Sequence, residues 1–80
     1  ITFPKIIIKN SAIKNIKNGA QVMFPALKDV DKEVKKDIFV SIYTEDDKLF
    51  GIGKSLFDYS DYKDRKLEHG LAVRIERVQI

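Results

Sequence analysis

Apolar residues come in short bursts along this 80-residue chain, and each burst has its own period. Ile6, Ile7 and Ile8 form a β-branched run between Lys5 and Lys9, and Pro4 suits a strand start, so a strand is predicted there. Ala12, Ile13, Ile16 and Ala20 then recur at helical spacing, with Lys14, Asn15, Lys17 and Asn18 turned outward. Asn10 and Ser11 are the expected N-terminal caps of this helix, and Gly19 is its expected stop. A helix this short does not hold alone and must dock through Ile13 and Ile16.

Gln21 to Phe24 reads as a brief strand ended by Pro25, and Lys28 to Lys36 as a charged, irregular connection carrying Val30 and Val34. Ile38 to Thr44 and Leu49 to Phe57 read as a hairpin around the polar turn Glu45-Asp46-Asp47-Lys48. Gly51 and Gly53 inside the second arm predict a bulge or a sharp bend, as at a barrel corner. Asp58 to Leu67 is a short helix or turn with Tyr59, Tyr62 and Leu67 as anchors, and Leu71 to Val78 alternates as a strand until a shift near Arg77. The order is β-α-β-β-β-α/turn-β, without a βαβ repeat. It predicts a mainly β fold with short helices, closed into a small, partly closed barrel.

Length allows one hydrophobic core, so residues 1–80 are expected to be a single domain. The start at Ile1 rather than Met suggests a piece of a longer chain. No apolar run approaches the ~18 residues of a membrane span, and no membrane contact is expected. There is no cysteine, so no disulfide framework can be argued, and an intracellular, cytoplasmic setting is the expectation. Charge is unevenly placed. Residues 1–28 hold five lysines (Lys5, Lys9, Lys14, Lys17, Lys28) and no acid, residues 29–68 carry a net −3, and residues 69–80 a net +1. If the fold joins the two ends, one basic face results.

Catalytic motifs are weak. Gly51-Ile52-Gly53-Lys54-Ser55 looks like the tail of a phosphate-binding loop, but Lys48 stands where another glycine is needed and a strand, not a helix, surrounds it. His69 is a lone histidine without cysteine or other ligand material. The serines lack partners for nucleophilic catalysis. The segment is therefore expected to be no enzyme and to use neither metal nor cofactor. Lys14 and Lys17 either complement the helix dipole or contact phosphate. Phe24, Phe50, Tyr43, Tyr59 and Tyr62 either fill the core or stack on bases.

Pro4-Lys5-Ile6-Ile7-Ile8-Lys9-Asn10-Ser11-Ala12-Ile13, followed by Asn18-Gly19-Ala20-Gln21-Val22 and Pro25, resembles the start of a PUA domain. The likeness continues at Lys36-Asp37-Ile38-Phe39-Val40, at Leu49-Phe50-Gly51-Ile52-Gly53-Lys54 and at His69-Gly70-Leu71-Ala72-Val73-Arg74-Ile75-Glu76-Arg77-Val78. It is strongest to the C-terminal PUA domain of dyskerin-type and bacterial tRNA pseudouridine synthase B-type enzymes. One departure is that Ala26 and Leu27 follow Pro25, where the family usually has a glycine.

The resemblance implies a barrel of about six strands and an RNA-binding face made by the first helix, the strand after Gly19-Ala20 and the last strand. The matching residues are Lys14, Lys17, Asn18, Gly19, Ala20, Gln21 and Val22, with Arg74 and Arg77. It implies a domain that docks structured RNA, tRNA-like or guide RNA, for the catalytic domain of a parent synthase. A dyskerin-type eukaryotic parent would place it in the nucleolus. Two other roles stay open: an interaction module of a translation or ribosome-biogenesis factor, which could use the acidic segment 29–68, and the regulatory tail of an amino-acid kinase.

Overall fold

The computed structural model describes residues 3–64 and 70–78. In chain order the elements are β1 (Lys5–Ile8), α1 (Asn10–Lys17), β2 (Val22–Met23), a 3₁₀ turn (Phe24–Ala26), β3 (Leu27–Val30), β4 (Phe39–Tyr43), β5 (Leu49–Ser55), α2 (Tyr59–Lys63) and β6 (Leu71–Val78). The strands form one sheet in the order β2-β6-β5-β4-β1-β3. All neighbours are antiparallel except β1 and β4, which run parallel with Lys5 beside Ser41.

The two outermost strands, β2 and β3, are joined in the chain by the three residues of the 3₁₀ turn. The sheet must therefore curl until its edges nearly meet, which gives the expected barrel and leaves little free edge. Its inside is filled by Ile6, Ile8, Val22, Val40, Ile42, Phe50 and Val73, all fully buried. Phe24 and Phe57 meet edge to face across this core with ring centroids 5.1 Å apart. Ile13 packs against the cluster and Ile16 lies within it, so α1 is docked through the two residues that its spacing singled out.

Gly51 and Gly53 do mark a bend. The β5–β6 register shifts between Ile52 and Gly53, and Ile75 and Arg77 sit opposite them with Glu76 as the extra residue. A Cβ on Gly51 would lie 2.4 Å from the Arg77 carbonyl oxygen, and one on Gly53 2.6 Å from that of Arg74. The glycines are there because β6 crosses β5 at a distance no side chain allows. Gly51–Ser55 lies on β5, and the Ser55 hydroxyl is buried and donates to the Phe57 carbonyl at 2.8 Å.

Three expectations need correction. Part of the connection read as irregular is strand β3, whose Val30 pairs with Ile6 and whose Leu27 pairs with Ile8. Its buried positions are the two ends, with Lys28 and Asp29 exposed between them, so no alternation betrays it. The N-cap of α1 is Lys9, which makes no side-chain cap, and neither Asn10 nor Ser11 caps it. Instead Glu45, from the β4–β5 turn, accepts the Asn10 backbone N–H at 2.8 Å. The second hairpin arm ends at Ser55 rather than Phe57. Leu67 and His69 lie outside the described residues.

Candidate nucleic-acid interface

The helix α1 ends where Lys14 and Lys17 occupy its last turn. Gly19 comes next but one at φ +105°, a conformation that L side chains rarely adopt, and turns the chain toward β2. The space where a Cβ would stand on Gly19 is open. Ala20 and Gln21 are exposed. Gln21 then reaches across to the last strand, where its Oε1 accepts the Ile75 backbone N–H at 2.6 Å. This bond fixes the Gly19-Ala20-Gln21 corner beside the stretch of β6 that carries Arg74. Val22 is fully buried opposite Val73, so it can offer a ligand nothing but backbone.

Between α1 and this corner lies an open cleft of about 310 Å³, lined by Ser11, Asn15, Ala20, Gln21, Met23 and Pro25 among others. That volume is at the lower edge of ligand-sized sites, ~300–1,000 Å³. The lining offers a hydroxyl, two amides, a thioether and a proline ring, and no charge. At about 100° per residue, Asn15 faces the cleft, Lys14 stands a quarter turn away on the outer rim, and Lys17 lies on nearly the opposite side. The structure therefore brings Asn18, Gly19, Ala20 and Gln21 together at one corner, with Lys14 in the helix turn before it and Arg74 on β6 next to the Ile75 N–H that Gln21 holds. Lys17 flanks it from behind the helix, and Arg77 lies farther along β6, past the bulge. Ser11, Asn15 and Met23 are additions. The first two are legible in retrospect as the helix positions four apart that neither the apolar stripe nor the lysines use.

The cations differ in how they are engaged. Lys28 pairs with Glu45 at 3.1 Å, and Lys5 pairs with Asp47 while lying 4.4 Å over the Tyr43 ring. The Asn10 N–H bond, helped by Lys28 and Lys9, holds the Glu45 carboxyl below its ordinary range, and the bond to Asp47 raises Lys5 above its own. Lys14, Lys17, Arg74 and Arg77 have no ion-pair partner among the described residues. Other acids of the middle segment are occupied locally. Asp58 and Asp61 close the capping box of α2, and Asp31 accepts the Glu33 N–H at 3.2 Å.

The five aromatics weighed for stacking are structural. Phe24 and Phe50 are buried, Tyr43 lies under Lys5, and Tyr59 and Tyr62 pack against the core. The Tyr62 hydroxyl donates to the Lys28 carbonyl at 3.2 Å. No helix among the described residues is long and apolar enough to cross a membrane.

Residues 4–79 match the model of the PUA domain. The chain is 40% identical over 77 residues to the probable tRNA pseudouridine synthase B of Archaeoglobus fulgidus, covering 96% of this chain and 23% of that protein. It is 33% identical over 75 residues to its counterpart in Pyrococcus abyssi, covering 94% of this chain and 22% of that protein. The chain thus spans under a quarter of the length of these relatives. Among solved structures, an archaeal box H/ACA sRNP Nop10–Cbf5 complex superposes with a TM-score of 0.89 at 32% identity, over 98% of this chain and 24% of that one. An H/ACA RNP bound to a substrate RNA containing 2′-deoxyuridine gives 0.86 at 30%, again over 98% and 24%. A PUA domain protein of Thermoplasma acidophilum shares the fold, with a TM-score of 0.83 at 17% identity over 94% of this chain and 48% of that protein.

Proposed function

The chain belongs to the PUA family, and from that premise we propose that it is an RNA-binding appendage that docks structured RNA for a pseudouridine synthase of the dyskerin or tRNA pseudouridine synthase B type. The observation that carries this reading is the corner itself. The cleft is open and uncharged, and near it Lys14 on α1 and Arg74, next to the Ile75 N–H that Gln21 holds, are exposed and without an acid partner among the described residues. A phosphate backbone needs free cations at the rim, and an unpaired base needs amides and flat surface within. Asn15 and Gln21 supply amides, Pro25 and Met23 supply surface, and the open space over Gly19 lets the RNA backbone come close. The relatives support the same reading, since one solved neighbour is a complex with RNA. Nothing in the segment is assigned to chemistry: it holds the substrate while another domain acts.

A titration of the chain with a tRNA or hairpin RNA across salt concentrations tests the proposal. Two to four phosphate contacts, from Lys14 and Arg74 at the corner and from Lys17 and Arg77 beside it, give a slope of roughly −2 to −4 in log K against log salt. A flat response sinks it.

A further inference from the structure

The strand register places a second cationic feature on the outside of the barrel. Phe39 of β4 stands opposite Lys54 of β5, and Lys54 stands opposite Arg74 of β6. Residues in register share a face of the sheet, with Cβ atoms ~5 Å apart across each pair. The inward-facing neighbours of this rung, Val40, Gly53 and Val73, are buried, so the rung faces out. The extra residue Glu76 also returns Arg77, opposite Ile52, to this outer face. Lys54 and Arg74 are thus like charges directly opposed, which weakens a sheet. Neither has an ion-pair partner among the described residues. Beside them Phe39 is 46% exposed, and its ring is held by that of Phe3 at 5.9 Å between centroids. Two opposed cations beside a half-exposed ring are an arrangement that the fold alone does not call for, and such local conflicts are expected at functional surfaces.

We propose that this rung is a second RNA contact, taking a short unpaired segment that leaves the corner, crosses β6 at Arg74 and ends stacked on Phe39. It rests on the RNA-binding reading above, and Arg74 is the hinge between the two surfaces. Adjacent cations call for a polyanion, and an exposed ring beside them calls for an unpaired base; single-stranded nucleic acid offers both at that spacing. Paired RNA would present only phosphates to Phe39.

The test compares one hairpin RNA with the same hairpin carrying a short unpaired extension on either end, each titrated against the 80-residue chain. One extension should tighten binding about tenfold through its stacked base. Lys54→Gln and Phe39→Ser should each remove most of that gain and leave the bare hairpin within about twofold. Phe39→Tyr should keep it, and Lys54→Gln should lower the salt slope of the extended RNA by about 0.7. The proposal falls if neither extension tightens binding, or if the gain survives both substitutions. It also falls if Phe39→Ser abolishes self-association of the chain instead, which would make the patch a protein contact. If the bare hairpin does not bind, the corner is wrong. The unpaired oligonucleotide alone, titrated against the native chain and Phe39→Ser, then still decides the rung, and equal binding by both overturns it.

Discussion

The two ends of the first helix handle positive charge in opposite ways. At its start, Lys5 and Lys28 are each matched to an acid of the β4–β5 turn, and Glu45 also holds the Asn10 N–H. At its end, Lys14 and Lys17 face solvent, and across the corner Arg74 does the same. One segment rich in lysine and free of acid thus serves two purposes: its outer lysines, Lys5 and Lys28, fasten the turn to the barrel, and its inner ones, Lys14 and Lys17, stay available. A count of charge along a chain overstates a binding face, because acids distant in sequence can neutralise part of it.

The sharpest way to break this comparison is to remove charge at both ends. Lys14→Gln with Arg74→Gln should weaken hairpin RNA binding by roughly a hundredfold or more, since each charged contact is worth ~1.5–3 kcal/mol. The matched pair at the other end, Lys5→Gln with Lys28→Gln, should change the affinity by no more than about threefold, because those cations are already satisfied. A binding titration of both doubles, with circular dichroism to confirm folding, is the measurement. Equal losses would mean that the RNA senses net charge and not the corner.

Next in size are the glycines that seat the two sides of the corner. In Gly53→Ala the new methyl would lie 2.6 Å from the Arg74 carbonyl oxygen and 2.7 Å from Val73 Cγ1. β6 must move away, and urea denaturation should show a loss of about 1–3 kcal/mol. Gly19→Ala meets no atom, yet its φ of +105° is strained for any L side chain, so about 1–2 kcal/mol should be lost. The two substitutions differ in their effect on binding. Gly53→Ala displaces Arg74 and should weaken RNA binding through β6. Gly19→Ala should weaken it only if the RNA backbone lies over the corner, so unchanged affinity there would reduce Gly19 to a helix stop.

Much of the fold is legible from local pattern. Ile13 and Ile16 at helical spacing, the positive φ of Gly19 and the bend at Gly51 and Gly53 each arise from residue type and immediate neighbours. The strand β3 is not legible, because Leu27-Lys28-Asp29-Val30 becomes a strand by pairing with β1 and shows no alternation of its own. The cap of α1 is hidden for the same kind of reason: its acceptor, Glu45, is 35 positions away. Of the site, Lys14, Gln21 and Arg74 came from charge and resemblance, but the sequence could not separate Lys14 from Lys17. Only the rotation of α1 over the core does that. The rung of Phe39, Lys54 and Arg74 needs the register across three strands, and a bulge hides that Arg74 and Arg77 share a face.

The smallest expected effect concerns the latch at the start of α1, and it reads out in pH. The Glu45 carboxyl is held below its ordinary range first by the Asn10 N–H and then by Lys28. A carboxylate whose pKa is lower folded than unfolded stabilises the fold above the unfolded value, and that contribution disappears as pH falls through the folded one. Thermal melting of the native chain should therefore be steady near neutrality and lose a component below about pH 4.3, the unperturbed glutamate value. Glu45→Gln keeps an oxygen for the Asn10 N–H but cannot titrate. Its melting temperature should be slightly lower near neutrality, and the difference from the native chain should shrink as the acid limb is reached. Hairpin binding at pH 7 should stay within about twofold, because the latch orders the far end of the helix and leaves Lys14 free. A Glu45→Gln chain whose acid limb overlays the native one would show that the carboxylate adds nothing beyond the turn's own geometry, and the contrast between the two ends of α1 would then rest on the lysines alone.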